Sequence, residues 1–354
     1  MSWTTTTLGE VTDLKRGFDL PASKRVSGKY PVYSSSGKTG THDKYMVEGP
    51  CVITGRYGTI GKVFYSSISC WPLNTSLYSC DFKGNNPRFV YYLLQTIPWS
   101  EYTTASAVPG VNRNHVNLRK VTIPDKITQD RIAYLLDSIT SKIELNNRIN
   151  GYLSELCDAV YANFIRGKRG IDWHDGTLSE LIEIKYGKAH KNLADGPYPV
   201  YGSGGYMRSV EKPLSSGESV LIPRKGSLNH VMYVDEDFWT VDTMFFTIPR
   251  MPGAAKYAYQ YVKGLNLASM NAGSAVPSMT VDILNGLQLA IPCKEALAEL
   301  DSELQPTYSL IAQIRAESKV LVELRDSLLP KLMSGEIDTS KIDLTQLNSH
   351  LFGC

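Results

Sequence analysis

The chain is short of apolar runs. None of its 354 residues begins a stretch near the roughly 18 consecutive apolar residues that a membrane-crossing helix needs, so no bilayer span is expected. The first ten residues, MSWTTTTLGE, contain neither a basic start nor an apolar core, so no secretory leader is read there. Six cysteines, at 51, 70, 80, 157, 293 and 354, form no C-x-x-C pair and no framework spacing. They are expected to be reduced thiols of a cytoplasmic protein, and no metal site is expected.

Catalytic signatures are missing too. There is no H-E-x-x-H and no G-x-S-x-G. GRYGTIGK (55–62) approaches a phosphate loop, but its first glycine, required at 56, is Arg56, and the hydroxyl residue required at 63 is Val63. NNPRF (85–89) approaches the Asn-Pro-Pro-aromatic motif of amino-methyltransferases, but Arg88 stands where the second proline belongs. The histidines, at 42, 115, 174, 190, 230 and 350, are scattered. No catalytic residue, metal ligand or cofactor is assigned to this chain.

What remains is a soluble composition, 42% hydrophobic and 20% charged, long enough for two domains. The net charge of +2 is unevenly spread: residues 1–127 carry +7, 128–165 carry −2, 166–292 carry +1 and 293–354 carry −4. A basic segment points to a polyanionic partner, although solubility alone accounts for such an excess in many domains.

The chain is written twice. Shifted by 168 positions, YPVYSSSG (30–37) falls on YPVYGSGG (198–205), SAVPG (106–110) on SAVPS (274–278), and the Ile-Pro at 123–124 on that at 291–292. Arg56, Gly58, Trp71 and Thr75 fall on Arg224, Gly226, Trp239 and Thr243. TLGEVTDLKRG (7–17) matches TLSELIEIKYG (177–187) at an offset of 170. Many matches at one offset exclude chance, and two copies suggest a pseudo-two-fold pair.

Each copy divides again. Its first part has short alternating runs such as KVFYS and SLYSCDF, which predict a mainly β or mixed domain, with one helix near 87–96 and its counterpart near 255–263. The period then changes. Ile132, Leu136, Ile139, Ile143, Ile149, Leu153, Leu156, Val160 and Phe164, and in the second copy Leu300, Leu304, Ile311, Ile314, Leu321, Leu324, Leu328 and Leu332, fall on spacings of three and four or their sum, with a polar interruption at Asn146 in the first. Each stripe predicts an amphipathic helix on the order of 50 Å long. Pro306 should dent the second, and Pro330 with Gly335 should close it. The expected fold is α+β: two globular, mainly β domains joined by two long antiparallel coiled-coil helices, like a dumbbell. The expected segments are 1–127, helix 128–166, 167–293, helix 294–337 and a tail, 338–354.

LLDSITSKIELNNRINGYLSELCDAVYANF (135–164) and VELRDSLLPKLMSGEI (322–337) resemble the two conserved helical regions of type I restriction–modification specificity subunits. The domain–helix–domain–helix layout and the segment ITGRYGTIGKV (53–63) resemble that family as well. The resemblance implies a non-catalytic subunit that binds double-stranded DNA, each target-recognition domain reading half of a bipartite site. The helices would set the spacer and dock two modification subunits. S-adenosylmethionine for adenine methylation would sit on those partners, and ATP and Mg²⁺ on restriction (motor–nuclease) subunits. A different-class alternative is a structural adaptor that joins two proteins through its ends, with no DNA role.

Base reading needs planar donors and acceptors on protruding loops, and phosphates need Lys, Arg and small hydroxyl donors. The first copy offers Arg16, Lys38, Arg56 and Tyr57, then Asn112, Arg113, Asn114 and His115. The second offers Tyr186, Lys188, His190, Tyr206 and Arg208, then Arg224, Lys225, Asn229 and Ser278. Plainer roles compete: Arg56 and Arg224 share one position and fit a phosphate or scaffold role, while Asn112 and Asn114 fit caps or turns. Along the helices Ile143, Asn146, Asn147, Leu153, Ile311, Leu321, Leu324 and Leu328 are candidates for partner docking. The Asn-rich LNNRIN (145–150) is either a solvated face or a register device. The twin SAVP loops read as framework, with specificity beside them.

Overall fold

The computed structural model describes residues 2–103, 110–168, 172–271 and 277–353. The chain separates into two units, Met1–Asn147 with Ala316–Cys354, and Arg148–Arg315. The offset of 168 governs both.

In unit 1, β1 (Trp3–Thr7) leads through the one-turn α1 (Leu8–Val11) to β2 (Lys15–Arg16). β3 (Tyr30–Ser34) and β4 (Gly37–His42) form a hairpin, followed by β5 (Cys51–Gly55), β6 (Val63–Ser66), β7 (Trp71–Pro72) and β8 (Ser76–Ser79). α2 (Pro87–Gln95), α3 (Arg113–Asn117) and β9 (Lys120–Pro124) lead into the long α4 (Lys126–Lys168). The strands pair as a four-stranded sheet in the order β2-β8-β5-β6, a three-stranded sheet β4-β3-β7 and the pair β1-β9.

Unit 2 repeats the plan. β10 (His174–Thr177), α5 (Leu178–Leu181), β11 (Ile182–Tyr186), β12 (Tyr198–Gly202), β13 (Gly205–Val210), β14 (Glu218–Pro223), β15 (Met232–Asp235), β16 (Trp239–Thr240) and β17 (Met244–Pro249) follow in turn. α6 (Ala254–Lys263), α7 (Val281–Asn285) and β18 (Gln288–Ile291) precede the second long helix, α8 (Lys294–Ser334), and α9 (Leu344–Phe352) ends the described chain. The sheet orders are β11-β17-β14-β15, β13-β12-β16 and β10-β18. The fold is therefore α+β, with both expected helices in place.

Alternation along the central strands builds two cores per unit. Val52 faces the main core, with Leu8, Leu77, Phe89 and Leu94, while Cys51 and Ile53 face a smaller one with Val47, Cys70 and Tyr78. In unit 2, Val220 and Ile222 face one core and Leu221 the other. Cys51, Cys70 and Cys157 are buried free thiols, and Cys80 is exposed.

Most of each helical stripe packs inside the chain, whereas Leu156 and Leu324 stay exposed. Ile132, Leu136 and Ile139 of α4 join the core of unit 1 together with Leu321 and Leu332 of α8. There Asn146 donates to Glu317 (2.8 Å) and Ser318 (3.2 Å), and Arg131 donates to the carbonyls of Thr339 and Ile342. As one helix ascends in number the other descends, so they run antiparallel. Asn146 is buried, and a buried Asn between two helices specifies register because only one alignment satisfies it. In unit 2, Cys157 and Phe164 share a core with Leu300, Leu304 and Ile311.

Pro306 lies within α8, which runs unbroken from Lys294 to Ser334. Proline deprives the carbonyl four residues earlier of its partner. That carbonyl belongs to Ser302, and Ser302 and Pro306 are both exposed, so water can take the bond. Gly335, at φ 79°, ends the helix.

Candidate nucleic-acid interface

One backbone frame recurs in both units around the shared arginine. In unit 1 the amides of Arg56 and Tyr57 both donate to the Thr75 carbonyl (2.9 and 3.2 Å), and the Arg56 carbonyl accepts from Val111 (2.9 Å). In unit 2 the amides of Arg224 and Lys225 donate to the Thr243 carbonyl (2.8 and 3.2 Å), and the Arg224 carbonyl accepts from Met279 (2.8 Å). Tyr57 bridges to Gly110 as Lys225 does to Ser278. Gly58 and Gly226 follow, at φ 76° and 88°, a turn that residues with a Cβ rarely make. The ends of the twin SAVP loops are thus tied to the arginine loops. Residues 104–109 and 272–276 lie outside the described residues, and with them most of the loops expected to act as framework.

In unit 1 this frame borders an open groove of about 830 Å³ lined by Asp13, Lys15, Arg16, Phe18, Arg56, Tyr57, Leu77, Tyr78 and Gly110 to Asn114. Asp13, 3.9 Å from Lys15, is its one acid against four cations. Among the described residues Arg16, Arg56 and Arg113 have no carboxylate within ion-pairing distance. The groove therefore keeps positive charge available to a polyanion. The Arg56 guanidinium lies 4.6 Å from the Tyr57 ring centre, and the Tyr57 ring covers Gly110, where a Cβ would fall 2.2 Å from Cε1.

Six of the eight candidates in unit 1 line this groove; Lys38 and His115 are exposed but lie outside it. Arg113 and Asn114 sit on a one-turn helix where a loop was expected, and Asn112 caps that helix by accepting from the Asn114 amide (3.1 Å). That bond occupies part of the Asn112 side chain. Lys15 lines the groove without having been singled out, although it stands beside Arg16 in the run LKRG.

Unit 2 surrounds the same frame differently. Arg224 stacks on Tyr186, 5.3 Å from its ring centre, and Tyr186 stands in the chain where unit 1 has Arg16. Each unit thus gives the shared arginine an aromatic neighbour, but from a different element. Tyr186 and Tyr206 are 55% and 54% exposed. Lys188 is exposed, and the Nδ1 of His190 is buried without a partner. Several candidates are engaged within the unit: Arg208 pairs with Asp195 (2.7 Å), Asn229 bonds Asn266 and the Ala268 amide, Arg224 donates to the Asp242 carbonyl (3.3 Å), and the Tyr206 hydroxyl lies 3.1 Å from that of Ser209. The Ser278 amide donates to Asn271 (2.7 Å).

The docking candidates divide by burial. Asn146, Ile311 and Leu321 are buried, Leu153 packs on the core of unit 2, and Ile143 and Leu328 pack on that of unit 1. Asn147 and Leu324 are exposed.

A cation on the helix beside each sheet ties the sheet to a long helix. In unit 1, Arg88 bonds Asp137 of α4, and Tyr92 donates to the same carboxylate (2.7 Å). Burial alone would lower the Arg88 pKa, but Asp137 raises it. The counterpart in unit 2, Lys256, is 1% exposed and bonds Glu218 and, at 2.6 Å, Asp301. Arg88, which spoils the methyltransferase-like motif, is structural. Among the described residues no cluster of His, Cys, Asp and Glu could hold a metal, and no helix is long and apolar enough to cross a membrane.

The type I restriction modification DNA specificity domain matches this chain twice, over residues 1–154 and 170–316. A Mycoplasma pneumoniae protein whose name describes it as a type I specificity subunit is 22% identical, covering 89% of this chain and 92% of that protein. The specificity subunit of the type I restriction enzyme MjaIX of Methanocaldococcus jannaschii is 21% identical over 92% of this chain and 88% of its own length. The crystal structure of an S subunit of a type I restriction–modification system from M. genitalium superposes with a TM-score of 0.60 at 18% identity, covering 94% and 96% of the two chains. It shows a shared fold.

Proposed function

Since the chain belongs to the type I restriction–modification specificity subunits, a non-catalytic family whose general role is to recognise DNA sequence, we propose that each unit reads one half of a bipartite site. Unit 1 does so through the groove of Arg16, Arg56, Tyr57, Arg113 and Asn114; unit 2 uses the surface of Tyr186 and Arg224. The observation that carries this reading is the convergence of four cations on one groove with a single acid, around a backbone frame that the second unit repeats. Arginine pairs bidentately with guanine edges and with phosphates, so such a groove suits a duplex.

α4 and α8 each contribute to both units, so their length sets the number of unread base pairs. Half-sites about one helical turn, ~34 Å, apart suit helices on the order of 50 Å long. The exposed faces of the helices dock two modification subunits, which carry S-adenosylmethionine and methylate adenine. Restriction subunits add ATP- and Mg²⁺-dependent translocation and cleavage. This chain supplies no cofactor and acts in the cytoplasm, where the DNA is.

The test is selection from a random duplex pool by the full chain with its modification subunits at moderate salt. Enrichment of a bipartite sequence is expected, and its absence would overturn the reading. Arg113→Ala should weaken one half-site about tenfold or more, the scale of a lost bidentate contact, and leave preference at the other unchanged. Unchanged affinity and preference at both would remove Arg113 from the interface.

A further inference from the structure

We infer that unit 2 recognises thymine in its half-site through the side chain of Met207, which contacts the 5-methyl group in the major groove. The inference rests on the DNA-reading function proposed above and adds a specificity-determining residue and a base.

Met207 lies in the β12–β13 hairpin. Val200 pairs with Arg208 and Tyr201 with Tyr206, which leaves Met207 as the extra residue of a β-bulge. Bulges re-aim a side chain out of the strand's alternation and are common beside functional sites. Unit 1 has the same bulge, with Val32 opposite Gly40 and Tyr33 opposite Lys38, and its extra residue is Thr39. The geometry is shared and the side chain is not.

The neighbouring position changes with it. A Cβ on Gly202 would lie 2.6 Å from the Met207 sulfur, so the thioether rests on a glycine. In unit 1 the position of Gly202 is held by Ser34 and that of Met207 by the smaller Thr39, whose hydroxyl donates to the Val32 carbonyl (3.4 Å). The glycine makes a seat that limits the freedom of a flexible side chain, so less entropy is lost when it makes a contact. Met207 nevertheless remains 54% exposed.

The hairpin tip belongs to the candidate surface. A Cβ on Gly226, in the loop after Arg224, would meet the Ser203 Oγ at 3.0 Å, and His230 Nδ1 lies 2.9 Å from the Ser203 carbonyl. Where unit 1 offers Lys38 and Thr39, unit 2 therefore offers Tyr206 and Met207. A thioether has nothing to give a phosphate. Among base edges in the major groove, the apolar feature is the thymine methyl. A side chain wedged between base steps in the minor groove is the other use of an apolar tip, but the Met207 sulfur lies back over Gly202.

The experiment takes the duplex selected by the full chain with its modification subunits. The half-site weakened by Arg224→Ala identifies the half read by unit 2. Each thymine there is then replaced singly with deoxyuridine, which deletes only the methyl. At least one replacement should weaken wild-type binding about fourfold, the value of one buried methyl group, and should have no effect on Met207→Ala. Met207→Thr, which restores the residue of unit 1, should behave as Met207→Ala does, and circular dichroism should show both variants folded. Binding indifferent to every replacement, or a half-site without thymine, overturns the inference while leaving the DNA-reading function intact. Indifference combined with loss of duplex bending in Met207→Ala overturns it in favour of a wedge. A pool that enriches nothing overturns both.

Discussion

Units 1 and 2 share a backbone and differ in what they place on it. The hydrogen bonds around Arg56 and Arg224 match within a few tenths of an ångström, and the bulges of the two hairpins fall at equivalent residues. Yet Tyr57 over Gly110 is replaced by Lys225 beside Ser278, and where unit 1 has Ser34 and Thr39 unit 2 has Gly202 with Met207 over it. Each unit sets a large side chain on a glycine at a position where the other unit has serine. Duplication followed by paired changes of this kind alters a recognition surface while leaving the sheets beneath it untouched.

The largest effect is expected where the two units anchor their helices. Lys256 is buried between two carboxylates, whereas the Arg88 side chain is 27% exposed beside Asp137. Removing both partners, Glu218→Ala with Asp301→Ala, strands a buried cation and should destabilise unit 2 by about 3–5 kcal/mol. Asp137→Ala should cost unit 1 less, because water reaches Arg88. Hydrogen exchange resolved by unit checks the order, and an equal loss in both would mean that burial does not separate the two anchors.

The glycine seats come next. Gly110→Ser forces the Tyr57 ring off the frame and should cost about 1–3 kcal/mol as overpacking. Tyr57→Lys added to it rebuilds the pair of unit 2 and should recover most of that loss. Gly202→Ser should cost less, since only the end of a flexible Met207 must move. Urea denaturation of the three variants measures the difference, and a double variant no more stable than Gly110→Ser would break the equivalence of the two frames.

This pairing also shows how far the sequence can be read. The offset of 168 is legible, and so are the mixed sheets and the two long helices, because each is repeated or periodic. The anchors were not: Arg88 looked like a flaw in a motif, and only folding brings Asp137 within reach. The helical stripe was visible without its partners, so Ile311 and Leu321 looked available for docking although the chain's own core takes them. Of the groove, the arginines stood out by type, whereas Lys15 joins through the short pairing of β2 with β8. The turn of α3 was hidden because Asn112 reads equally as loop and as cap.

Charge separates the units in solution. If Arg16 and Arg56 meet phosphates, each replacement by Ala should lower the dependence of log affinity on log salt by ~0.9 at the half-site of unit 1. Arg224→Ala should do the same at the other half-site, where fewer cations leave a smaller starting slope. Titration of the selected duplex from low to moderate salt measures both. Equal starting slopes would show that the excess of +7 over +1 lies away from the DNA.

The smallest contrast lies where each long helix begins. Asp125 opens α4; its carboxylate accepts from the amides of Ser2 (2.9 Å) and Thr128 (3.0 Å). Those two bonds hold its pKa at about 2, below the usual 3.8. The depressed value means that the contribution is complete above the usual carboxylate range and is lost as pH falls from about 3.8 towards 2. The equivalent position at the head of α8 is Cys293, whose backbone carbonyl accepts from Leu297 (3.0 Å) and whose thiol is a poor cap. Cys293→Asp should therefore stabilise that helix by about 1 kcal/mol at neutral pH and confer the acid sensitivity that α4 already has. Asp125→Ala should remove that sensitivity from α4. Amide exchange in the first turn of each helix, followed from neutral pH to pH ~3, reads both variants against wild type. A Cys293→Asp chain whose α8 amides exchange as before would show that this helix start has no use for a cap, and that the two helices are tethered by different means.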